Sequence, residues 1–238
     1  MHNNSSFKSK IALISVLTVV IGCFSTVQAA DDDWPPKVTS DGLNLVEGTK
    51  AAAVWALDGA DFSEYKRVMI IDVGVGFKKN WRRDYNRDEI SLQRQVSQSD
   101  ADKIKQRVAD EFKTVFTNEL TKAGYEVSNY NIDLAHDDIL VLRPAIMDLD
   151  VTAPDTGDAG MGRTFTASAG AMTLYMEFYD SVTSTLLGRV VDRKAARDSG
   201  MMTMSSRVSN KADADRLFKK WAGLLIAKMD TVMGKEEE

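Results

Sequence analysis

The chain has 238 residues, 44% hydrophobic and 27% charged, and its 30 basic against 35 acidic side chains leave a net charge of −5. That balance argues against a nucleic-acid binder, which carries a basic face, and gives no support for a polybasic membrane dock. One cysteine and two histidines leave no disulfide within the chain and little material for a Cys/His metal site.

The first thirty residues have the layout of a secretory signal peptide. Lys8 and Lys10 precede an uncharged, mostly apolar run from Ile11 to Phe24, and Val27-Gln28-Ala29 places small or modest residues where a signal peptidase reads. The run has fourteen residues, short of the roughly 20 that a membrane-crossing helix needs. Cleavage after Ala29 defines 1–29 as the signal and leaves 28 basic against 35 acidic residues, with His136 the sole histidine and no cysteine. A Cys/His zinc site is then excluded within one mature chain, and only His136, in a polar stretch, could serve as a triad base. The competing exit is Val20-Ile21-Gly22-Cys23, in which an acylated Cys23 would become a lipid-anchored N-terminus. The expectation is an exported, periplasmic protein held together by its core, with lipid anchoring through Cys23 as the alternative.

Residues 30–58 read as an extended N-terminal segment, since Pro35-Pro36 resists helix and central strand and Asp41-Gly42 marks a turn. A single domain then spans 59–234. Arg67 to Phe77 is a near-continuous Val/Ile run, as in a strand covered on both faces. A charged, aromatic loop follows, and the even spacing of Ile90, Leu92 and Val96 suggests a short strand. Ser99 caps a helix to Ala123, with Ile104, Val108, Phe112, Val115, Phe116 and Leu120 on one face and Gly124 as its left-handed stop. A strand is expected over 125–130. Ile139 to Val151 is a long strand in which Pro144 requires a bulge or an edge, and Met147, Leu149 and Val151 alternate with Asp148 and Asp150. Residues 171–179 and 186–194 form a hairpin, with Met172, Leu174, Met176 and Phe178 on one face. The last helix starts near Asn210, carries an apolar stripe from Ala214 to Met229 and stops at Gly234, leaving 235–238 as a charged tail. This order predicts an α+β fold: one mixed or antiparallel sheet with two main helices packed against it.

Four pieces of the chain, Gly59–Met69 (GADFSEYKRVM), Leu140–Ile146 (LVLRPAI), the hairpin from Met172 to Asp192, and Trp221–Leu225 (WAGLL), together resemble the bacterial envelope proteins grouped as domain-of-unknown-function family 3313. The likeness runs from about Asp41 to Asp230. It implies an envelope location and a coherent single domain, raises the lipoprotein alternative at Cys23, and brings no catalytic residues with it.

The candidate working surface is Phe77 to Arg87, where Lys78, Lys79, Arg82 and Arg83 interleave with Trp81 in an acidic protein. Arginine and aromatic side chains are enriched at interaction hot spots, and guanidinium groups clamp phosphate or carboxylate. Set against this, such a loop can be solvated, its aromatics packed down. Met201, Met202 and Met204 are too few and too far from histidine for a convincing copper site. Gly157 to Gly162 lacks the Lys and Ser/Thr of a phosphate loop. Asp148 and Asp150 offer paired carboxylates but fit a solvent face. No cofactor and no catalytic residue is expected. The reading is an exported, non-enzymatic binding or accessory module whose partner is another envelope component, protein or cell-wall or lipid material. An extracytoplasmic hydrolase using carboxylates and a small-ligand or metal binder are the alternatives.

Overall fold

The computed structural model describes residues 34–90, 92, 95–128, 138–151, 169–195 and 207–232. The expected signal peptide with Cys23, His136, the glycine-containing stretch 157–162, the methionines at 201, 202 and 204, Gly234 and the tail 235–238 lie outside them. The described sheet and helices all lie within one compact unit, Pro35–Glu238. Its elements are β1 (Asn44–Leu45), β2 (Ala53–Ala56), β3 (Arg67–Ile70), β4 (Gly74–Phe77), α1 (Trp81–Asp88), α2 (Gln98–Lys122), β5 (Glu126–Ser128), β6 (Ile139–Val151), β7 (Ala169–Asp180), β8 (Leu186–Ala195) and α3 (Arg207–Val232).

Among the described residues the strands make one eight-stranded sheet in the order β1-β2-β8-β7-β6-β3-β5, with β4 also laid against β6. Pairing is antiparallel from β1 through β8 and β7 to β6, and parallel where β6 meets β3 and β4 and where β3 meets β5. The fold is therefore α+β with a mixed sheet. The two long helices pack together on the face that carries Val68, Ile70, Leu140, Leu142, Leu174 and Met176. Phe112 stacks on Phe116 at 4.1 Å and meets Phe218 of α3 edge-on at 5.2 Å, joining the helices through their aromatic stripe.

Local chemistry explains the boundaries. Ser97, rather than Ser99, caps α2: its hydroxyl accepts from Asp100 N at 3.1 Å while the Asp100 carboxylate accepts from Ser97 N at 3.0 Å. Gly124 sits at φ +85° and ends the helix as expected. The 67–77 run is two strands, not one, interrupted at 71–73. The interruption accommodates Pro144 in the middle of the sheet: β3 stops opposite Leu142 and β4 begins opposite Ala145. Pro144, which has no N–H to give, thus faces a gap in the ladder. The bulge in β6 lies further on. Met147 pairs with Thr173 and Asp150 with Ala171, so β6 spends one extra residue there. Asp148 takes φ 52° at that point. The insertion reverses the alternation, so Ile146, Leu149 and Val151 all reach the core while Met147 is left exposed.

One expectation fails and another needs refinement. Ile90 and Leu92 are 98% and 80% exposed and form no strand with Val96, which alone of the three is buried. The 30–58 segment is not merely extended, because β2 pairs with β8 over four residues and Trp55, with its indole N–H on Pro36 O at 2.8 Å, anchors a second small core with Leu43 and Ala53.

Candidate functional site

The structure takes the Phe77–Arg87 stretch apart. What reads as a polar loop becomes helical from Trp81, and the Trp81 ring is only 6% exposed. It lies flat on Phe77, with centroids 4.0 Å apart and planes at 5°, and its Nε1–H donates to Val151 O at 2.9 Å. Trp81 is thus a core residue that pins α1 to the end of β6, and it offers no ring to a partner. Lys78, Lys79, Arg82 and Arg83 stay at the surface around it. Lys78 reaches Asp150 at 3.3 Å and Arg83 reaches Asp84 at 3.1 Å. The same bulge that buries Leu149 separates Asp148 from Asp150, so these two carboxylates form no acid/base pair on one regular face.

A cavity that the sequence does not announce lies elsewhere. Helices α2 and α3 do not cover the β2–β8 end of the sheet, which leaves a hollow of about 390 Å³ between the C-terminal half of α3 and strands β2, β8 and β7. Val54, Ala56, Val190, Met176 and Phe178 floor it, and Trp221, Leu224 and Leu225 wall it. The strand registers put the floor residues on one face: Val54 lies opposite Val190, and Val190 opposite Met176. The loop from Val46 to Ala51 forms the rim together with Lys228 and Thr231 of α3. Its volume falls within the roughly 300–1,000 Å³ of ordinary small-molecule sites, and a mostly apolar lining is the usual character of such sites.

One buried carboxylate belongs to this lining. Asp192 of β8 is 1% exposed, yet both oxygens are engaged: Oδ2 accepts the Trp221 Nε1–H at 2.7 Å and Oδ1 accepts Ala52 N–H at 3.1 Å. A buried carboxylate is tolerable when donors surround it. Here it ties β8 to the β2 approach and to α3, and so fixes two walls of the cavity.

The opposite face of the sheet carries a polar cluster. Glu177, 7% exposed, accepts from Tyr175 Oη at 2.6 Å, from Tyr179 Oη at 2.8 Å and from Arg189 Nη2 at 2.8 Å. Arg189 also binds Asp41, with Nη1 on Oδ1 at 3.2 Å, and Arg143 stands 3.7 Å from Glu177. Burial alone would raise the Glu177 carboxyl, but the hydrogen bonds from Tyr175, Tyr179 and Arg189 outweigh it and hold the group below its ordinary range. Burial, then the hydrogen bond to Glu177, pushes the Tyr175 phenol upward. This network latches the N-terminal turn at Asp41 onto β7 and β8.

No sequence pattern marks either site. The cavity residues come from strands and a helix far apart in the chain; the polar cluster is mostly local to the β7–β8 hairpin, and its links to Asp41 and Arg143 exist only once register is known. Among the described residues there is no cluster of His, Cys, Asp and Glu placed to hold a metal ion, and no helix long and apolar enough to cross a membrane.

Comparison with known proteins gives a family and a distant structural likeness. No curated protein matches the chain. Among solved structures, the dodecamers of a single-substitution variant of PelC and of PelC, both from Paraburkholderia phytofirmans, are similar at 10% and 11% identity, with TM-scores of 0.35 and 0.37. Each comparison covers 72% of this chain and 95% of the other. The profile of the family described as "Protein of unknown function (DUF3313)" matches residues 37–225, which takes in all the described strands, α1, α2 and most of α3. The chain belongs to the DUF3313 family.

Proposed function

We propose that this protein is an exported, non-enzymatic binding module of the cell envelope, and that its cavity holds an apolar ligand. Export is supported by the signal layout of residues 1–29. The observation that carries the binding reading is the hollow over β2, β8 and β7, with aliphatic and aromatic walls and its one buried carboxylate engaged by Trp221 and Ala52. Such a lining attracts apolar surface through the hydrophobic effect, about 25 cal/mol per Å² removed from water. Val190 stands at the centre of the floor, between Val54 and Met176. An apolar fluorophore such as N-phenyl-1-naphthylamine should brighten on binding the purified protein. Val190→Phe, which fills the hollow and keeps a good strand residue, should weaken that binding about tenfold or more. Undiminished binding in the filled variant would sink the reading.

A further inference from the structure

The rim of the cavity is charged where its interior is not. Lys50, on the loop before β2, and Lys228, near the end of α3, both line its mouth and are exposed to solvent. Glu47 lies on the same rim and is the single acidic residue there. No described residue forms an ion pair with either lysine. The two lysines come from different elements, the loop and the helix, and both border the hollow. A ligand with its apolar part on Val54, Val190 and Leu224 would therefore carry its polar end out between two ammonium groups.

We infer that the cavity takes a single-chain amphiphile with an anionic head, a fatty acid, with the alkyl chain against the floor and the carboxylate between Lys50 and Lys228. This deepens the cavity reading and rests on it. The volume, at the lower end for small-molecule sites, suits one chain of moderate length rather than the two chains of a phospholipid. Each added methylene buried contributes about 0.8 kcal/mol, so affinity should rise with chain length until the hollow is full. The lysines are solvent-exposed, so their share is modest and falls with salt.

The test is competition against bound N-phenyl-1-naphthylamine by decanoate, decanol and decyltrimethylammonium. Decanoate should compete about fivefold or more better than decanol, as two exposed ion pairs allow, and decyltrimethylammonium should compete worst. Lys50→Gln with Lys228→Gln should bring decanoate down to the level of decanol and leave decanol unchanged. Glu47→Gln should widen the decanoate preference. Equal competition by decanoate and decanol, a preference for the cationic amphiphile, or a preference that survives in the double variant would overturn the fatty-acid assignment while leaving an apolar site standing. So would sedimentation with phosphatidylglycerol vesicles in the absence of any decanoate preference. Failure of the fluorophore to bind, or equal binding to Val190→Phe, would overturn the cavity reading and this inference with it.

Discussion

Asp192 and Trp221 meet across the interface of sheet and helix, with the indole N–H 2.7 Å from the carboxylate and both side chains out of water. Neither residue is replaceable alone. Asp192→Ala leaves the Trp221 indole and the Ala52 amide without their acceptor, and should destabilise the fold by about 2–4 kcal/mol. Trp221→Phe removes one donor from a buried carboxylate and should cost about 2 kcal/mol. The double variant should cost less than the two singles combined, a coupling that a denaturation double-mutant cycle measures directly. Strict additivity would show that the two groups do not depend on one another.

Trp81 and its basic neighbours should separate cleanly. Trp81→Ala opens a cavity against Phe77 and strands Val151 O, at a cost of about 3–5 kcal/mol. Arg82→Ala with Arg83→Ala should shift stability by no more than about 0.5 kcal/mol, as surface changes do. Denaturant midpoints decide this. If the arginine pair matters to an envelope partner, crosslinking in the native envelope should lose that partner while the fold stays intact.

Acid should loosen the N-terminal latch. Unfolded Glu177 takes up a proton near its ordinary value of 4.5, whereas in the folded protein it does so only at lower pH. In that window the unfolded state binds more protons, so stability falls as pH drops through it. Asp41, lowered from its ordinary value by its hydrogen bonds from Arg189 and Thr39, acts in the same direction. Arg189, Tyr175 and Tyr179, which also face Glu177 and are all raised above their ordinary values, keep their protons throughout this range; Arg143 stands beside the same carboxylate. Glu177→Gln should therefore flatten the acid limb of a stability–pH curve. An unchanged slope would place the acid sensitivity elsewhere.

The mature N-terminus should be Ala30. Val27-Gln28-Ala29 is the motif that supports it. Mass spectrometry of the exported protein reads the terminus, and an acylated Cys23 would establish the lipid-anchored form instead.

Elements whose signal is local were legible in the sequence. The thirteen residues of β6, the β7–β8 hairpin, the stripe of α2 and the stop at Gly124 are read from spacing, propensity and turn chemistry within a few residues. Elements defined by a distant partner were not. β2 is four residues, AVWA, and becomes a strand only because β8 supplies its ladder some 135 positions later. The alternation of Ile90, Leu92 and Val96 has no partner strand, and so the same pattern comes to nothing. Trp81 looks like a surface aromatic among charges until Phe77 turns beneath it. The cavity was least legible of all, since it is the space between elements and no residue type announces a space.

The cavity also has a chronology. A chain leaves the ribosome from its N-terminus, so the loop and strand that rim the hollow, residues 46–56, are made first. Their ladder partner arrives only with β8, and the remaining wall only with the last turns of α3. For most of its synthesis the chain holds β2 with its inner edge unpaired, a long loop closure still to be completed. Any product that ends before Trp221 lacks that wall altogether. The hollow is therefore completed only in the final stretch of the chain, and on the binding reading proposed above a product cut short of that wall would hold no ligand.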